Sequence, residues 1–128
     1  MARILLIDDD EAVRSMLSIT LDHFGHTVVE ARDGREGLQL FDDSIDLVIT
    51  DIIMPETEGT EVVMQLRKRK PGVKIIAMSG GGRQSASDYL HIAKLMGASA
   101  VLPKPFSASE LTIMIDNLIG KTERPREG

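Results

Sequence analysis

The sequence has no cysteine and no tryptophan, one tyrosine and three phenylalanines. Without thiols there is no disulfide, thiolate nucleophile or cysteine-bound metal, and a reduced, cytoplasmic setting is expected. There is no long apolar stretch to span a membrane and no signal-peptide pattern, so no membrane partner is expected. Basic excess is lacking too. Fifteen Lys and Arg against twenty Asp and Glu leave a net charge of -5, which argues against nucleic acid as a direct partner. The basic run Arg67-Lys68-Arg69-Lys70 closes a helix just before Pro71-Gly72, where cations complement the carbonyl end of the helix dipole. His23, His26 and His91 show no ligand spacing and are expected at the surface or at helix ends.

What is present is an alternation. At 128 residues the chain has the length of one domain, expected over 1–120, followed by a polar tail over 121–128. Arg3 to Ile7 reads as a buried strand ending in Asp8-Asp9-Asp10. Asp10 caps a helix whose Val13, Met16, Leu17, Leu21 and Phe24 recur at helical spacing until Gly25. His26 to Ala31 gives a second strand, and Asp33-Gly34 opens a short helix carrying Leu38 and Phe41 inward, weakened by Gly37. Asp46 to Thr50 forms a third strand that delivers Asp51 at its end before Pro55. A helix with Val62, Val63 and Leu66 inward follows, then a strand from Lys74 to Met78 ending at Ser79. Gly80-Gly81-Gly82 lacks the spacing of a phosphate-binding loop and reads as a mobile loop. Ser85 caps a fourth helix that ends at Gly97, Ala100 to Leu102 is a fifth strand, and Ser107 with Glu110 forms a capping box for a fifth helix. Leu111, Met114, Ile115 and Leu118 should face the core from that last helix.

Strands alternating with helices over short connections require crossovers between parallel strands. The expected fold is an α/β three-layer sandwich, a five-stranded parallel sheet with five helices. Sequence alone does not fix strand order; an order of 2-1-3-4-5 would make strands 1 and 3 neighbours at the switch point, where open α/β sheets form their sites. Asp8, Asp9 and Asp51 would then converge, with Ser79 and Lys104 delivered to the other side. Three close carboxylates raise one another's pKa values and call for a cation, and oxygen ligands without His or Cys favour magnesium. A carboxylate beside magnesium, a lysine and a hydroxyl suits phosphoryl transfer onto Asp51 as nucleophile. Lys104 and the metal would offset charge on the phosphate oxygens, and Ser79 would donate a hydrogen bond.

With those residues in view, the chain resembles the response-regulator receiver domain over roughly Ala2 to Ile119. The matching segments are Ile4-Leu5-Leu6-Ile7-Asp8-Asp9-Asp10, Asp46 through Pro55 with Gly59, Met78-Ser79-Gly80 and Lys104-Pro105-Phe106. The resemblance implies that Asp51 is the phosphoacceptor, that Asp9, Asp51 and the backbone carbonyl of Ile53 ligate magnesium, and that Asp8 acts through water. It implies a switch hydroxyl at Ser79, the family's lysine at Lys104 and a cis peptide at Lys104-Pro105. The implied donor is a phosphohistidine on a sensor histidine kinase or histidine phosphotransfer protein. The implied output is a protein target docking on the fourth helix, the fifth strand and the fifth helix, where Leu90, Leu95 and Ile113 lie off the buried stripes. With no output domain following, the chain resembles a stand-alone receiver, or a receiver cut from a longer regulator. One position departs from the family's commonest pattern: Val101 stands where Tyr or Phe is usual, so rearrangement of the loop Gly80 to Gln84 and the helix after it is expected to carry the message. Two other classes compete, a non-switching interaction module and a magnesium-dependent phosphatase. The complete acidic pocket argues against the first, and Ile53, where a phosphatase would place its general acid, against the second.

Overall fold

The computed structural model describes residues 2–52, 59–79, 91, 94 and 97–120. Five strands form one parallel sheet: β1 (Arg3–Ile7), β2 (Thr27–Ala31), β3 (Leu47–Asp51), β4 (Lys74–Ser79) and β5 (Ala100–Pro103). Their order is β2-β1-β3-β4-β5, as a switch point between β1 and β3 requires. Four helices lie among the described residues: α1 (Glu11–His23), α2 (Gly34–Leu40), α3 (Gly59–Arg69) and α4 (Ala108–Ile119). Of the helix expected between Ser85 and Gly97, His91 and Lys94 are described and helical, whereas Leu90 and Leu95 lie outside the described residues. Among the described residues no helix is long and apolar enough to cross a membrane.

Period-two alternation divides the sheet between two cores. Ile4 and Leu6 of β1, Leu47 and Ile49 of β3 and Ile76 and Met78 of β4 pack with Leu17 and Leu21 of α1 and Leu111 and Ile115 of α4. Leu5, Ile7, Val48, Ile75 and Ala77 point the opposite way, against Phe41 and against Val62, Val63 and Leu66 of α3. Burying each such side chain contributes about 1.5–3 kcal/mol, whereas an exposed pair such as Arg32–Glu36 adds about 1 kcal/mol at most. The two apolar layers therefore hold the sandwich together.

Local chemistry sets the helix boundaries. The Asp10 carboxylate accepts from the backbone N–H groups of Ala12 and Val13 at the start of α1, and Asp33 accepts from Glu36 at the start of α2. Ser107 and Glu110 form the reciprocal capping box of α4. Gly25, at φ 90°, takes the left-handed turn that ends α1.

Two readings need correction, those of the α1 stripe and of His26, and that of Gly37 gains a second cause. Met16 is 58% exposed and Phe24 39%, because the buried stripe of α1 narrows to Leu17 and Leu21 with Val13 partly covered. His26 is buried rather than superficial: its Nδ1 accepts from the Ala2 backbone N–H at 3.1 Å, and burial pushes its pKa down. Gly37 is a packing requirement as well as a weak helix former, since a Cβ there would stand 2.4 Å from Cδ1 and 2.8 Å from Cγ1 of the fully buried Ile7.

Candidate functional site

The carboxyl ends of β1 and β3 bring Asp8 and Asp51 together. Pairing of Ile7 with Thr50 puts the residue after each strand position at the same rim, and pairing of Asp51 with Met78 places Ser79 one step farther along β4. Ser79 is in register with Pro103, the residue before Lys104. β4 and β5 thus carry Ser79 and Lys104 to the rim where the acids stand. Ile53 lies outside the described residues. The Lys104-Pro105 peptide is cis, as the sequence resemblance implied.

Asp8 is fully buried, Asp51 nearly so, and Asp9 is exposed. One carboxylate oxygen from each of the three lies within 4.8 Å of the others. Two unscreened carboxylates at that spacing repel by about 3 kcal/mol at an effective dielectric constant of about 20, so the cluster stores unfavourable charge. Lys104 offsets part of it: its Nζ donates to Asp51 Oδ2 at 3.0 Å and to Asp8 Oδ2 at 3.4 Å. Burial opposes the lysine's charge, yet the hydrogen bond and charge of Asp51, reinforced by Asp8, outweigh it and push its pKa up. Asp8 is also pushed up, chiefly by burial and further by Asp51, against the lowering effects of the Asp10 N–H and Lys104.

The donor set fits a hard divalent cation. All three groups are oxygen donors, and oxygens facing each other across a magnesium stand about 4.2 Å apart, close to the spacing of the cluster. One lysine against three acids leaves negative charge for such an ion to neutralise. Beside the rim, Val13, Met16, Leu17, Lys104, Pro105 and Phe106 line an apolar groove of about 330 Å³.

Sequence reading missed one residue here, Arg14, and had singled out another, Val101. Arg14, on the first turns of α1, donates through Nη1 to the Asp8 carbonyl at 2.8 Å and through Nε to Glu30 at 3.1 Å. An arginine one turn beyond an acidic strand tip was the available signal. Val101, at the position of the family's usual aromatic, pairs with Ala77 and packs partly buried against the core beside α3.

Comparison with known proteins agrees with this geometry. The family model described as the response regulator receiver domain matches residues 4–116. The response regulator MprA of Mycolicibacterium vanbaalenii is 40% identical over 122 residues, which are 94% of this chain and 51% of MprA. A receiver domain protein structure from Clostridium thermocellum superposes with a TM-score of 0.87 at 34% identity, covering 94% of this chain and 96% of that one. The response regulator protein TrrA of Thermotoga maritima, solved in complex with Mg(2+)-BeF, gives a TM-score of 0.80 at 33% identity, covering 93% of this chain and all of that one. The chain spans about half the length of MprA and of the similar transcriptional regulatory protein CpxR of Klebsiella pneumoniae. On this sequence match, with the sheet order and the acidic rim that accompany it, the chain belongs to the response-regulator receiver domain family.

Proposed function

We propose that this receiver domain accepts a phosphoryl group on Asp51 from the phosphohistidine of a sensor histidine kinase or histidine phosphotransfer protein, in the cytoplasm. A carboxylate oxygen of Asp51 attacks phosphorus, the P–N bond to the donor imidazole breaks, and its electron pair returns to the ring nitrogen. The product is an acyl phosphate on Asp51. Asp8, Asp9, Asp51 and the backbone carbonyl of Ile53 would hold magnesium, Asp8 through water. The bound ion would supply Lewis-acid stabilisation of the equatorial phosphate oxygens. Lys104, whose raised pKa keeps it cationic, turns from Asp51 toward a phosphate oxygen, and the Ser79 hydroxyl donates to another. Slow hydrolysis then resets the domain: water attacks phosphorus, and the bond between phosphorus and the Asp51 oxygen breaks.

The observation that carries this reading is the bridging of Asp8 and Asp51 by Lys104 beside the exposed Asp9. Output is assigned to a protein target bound through the helix expected between Ser85 and Gly97, β5 and α4. Ile113, 58% exposed, lies with Ala100, Leu102, Met114 and Leu118 along a groove of about 380 Å³ between β5 and α4, which supports that surface. Incubation with magnesium and a small acyl-phosphate donor tests the chemistry. Stoichiometric labelling that Asp51→Asn abolishes is expected; equal labelling of the variant would refute the assignment.

A further inference from the structure

We propose that Arg14 is a positioning residue that sets the metal-binding turn Asp8–Asp9, with Glu30 holding its guanidinium in place. This rests on the magnesium-assisted reading of the site. Arginine on a surface helix ordinarily extends into water, yet the Arg14 side chain is only 14% exposed. It lies against the carboxyl tip of β1, with Nη1 on the Asp8 carbonyl and Nε on Glu30, next to Ala31 in β2.

The contacts of Asp8 show what Arg14 completes. The Asp8 N–H donates to the Ala31 carbonyl at 3.1 Å, Oδ1 accepts from the Asp10 N–H at 2.9 Å and Oδ2 accepts from Lys104. Arg14 takes the remaining polar group, the carbonyl. Because the peptide is planar, fixing the Asp8 carbonyl fixes the Asp8–Asp9 amide plane and with it the direction in which the Asp9 side chain leaves the turn. That matters because Asp9 is exposed, and no hydrogen bond to its carboxylate is found among the described residues. Orientation must come to it through the backbone. Two donors of one planar fork act at once, one on the carbonyl and one on Glu30, a geometry that a lysine ammonium cannot copy.

The test uses the full chain with Arg14→Lys, Arg14→Gln and Glu30→Gln. Magnesium is titrated without any phosphodonor and followed by backbone amide NMR shifts; amide exchange at Asp9 and Asp10 is measured without metal. Loss of a partner that orients a metal ligand weakens metal binding by about tenfold or more, so Arg14→Gln and Arg14→Lys should both reach that range. Glu30→Gln, which keeps the guanidinium but loosens it, should cost about threefold. Exchange at Asp9 and Asp10 should quicken in all three. At saturating magnesium, labelling of Asp51 by a small acyl phosphate should return to within about twofold of the parent, as expected when only the ligand's pre-orientation is lost. A merely structural role would lower the thermal midpoint and leave magnesium affinity alone. Unchanged affinity in Arg14→Lys and Glu30→Gln overturns the proposal even if Arg14→Gln does not fold. A parent protein that binds magnesium but is never labelled would sink the phosphoacceptor reading instead and leave Arg14's role standing.

Discussion

Lys104 at one end of the sheet and Arg67 at the other use cations in opposite ways. Lys104 meets two carboxylates, and the three-acid rim around it keeps an excess of negative charge. Arg67, at the end of α3, meets neutral acceptors: the carbonyls of Gly97, Pro71 and Val73 and the Ser99 hydroxyl. Lys70 continues the pattern on the carbonyls of Asp43 and Ile45, and Arg69 on that of Leu38. One end is therefore left electrically incomplete, while the other is satisfied and anchors loops. A cation's partner, more than its type, separates a site from a joint.

Substitutions can break this contrast. The largest effect is expected from Lys104→Met, which removes the cation bridging Asp8 and Asp51 that we propose stabilises developing phosphate charge: labelling of Asp51 should slow by about 10²–10³-fold while the circular dichroism spectrum is kept. A variant labelled at the parental rate would show that Lys104 is only a structural counter-ion. Arg67→Ala should do the converse, costing about 2–4 kcal/mol in urea unfolding because several partly buried carbonyls lose their donor. Labelling per folded molecule should stay within about twofold, since no group of the rim is altered. A large rate loss there would join the two ends that we separate.

The smallest effect sharpens the comparison. A carboxyl whose folded pKa is raised favours folding in its protonated form, so its contribution is fully present below the ordinary carboxylate pKa and is lost as pH rises through the folded value. Neutral Asp8→Asn should therefore be more stable than the parent at pH 7 without metal, by about 1 kcal/mol. That advantage should vanish as pH falls into the carboxylate range, where Asp8 is protonated in both states. A variant less stable than the parent at pH 7 would mean that the Lys104 contact outweighs the burial of the charge.

Much of this was readable in advance, where the cause is local. Asp10, Asp33 and Ser107 cap helices because their side chains reach N–H groups two or three residues away. The strands were legible because a sheet covered on both faces needs nearly unbroken apolar runs. Readings failed or stayed incomplete where a distant partner decided. Met16 obeys the helical period, yet α4 and the sheet leave it uncovered. Gly37 is required by Ile7, thirty positions earlier in the chain, and His26 is buried by its contact with Ala2. The basic run does close α3, with Arg67, Lys68 and Arg69 in its last turn, and what the sequence did not show is that Arg67, Arg69 and Lys70 also hold carbonyls outside the helix.

By itself, then, the sequence determined which segments become strands and helices, where they stop, and that acids, a hydroxyl-bearing residue and a lysine stand at strand ends. Hydrophobic period and capping chemistry act within a few residues, so they survive in the order of the letters. Only tertiary structure decided that Lys104 meets Asp8 across 96 positions and Asp51 across 53, and that Arg14 turns back onto the strand before it. Those contacts follow from the strand order, which is set by how the two apolar faces of the sheet are jointly covered and which no local pattern encodes.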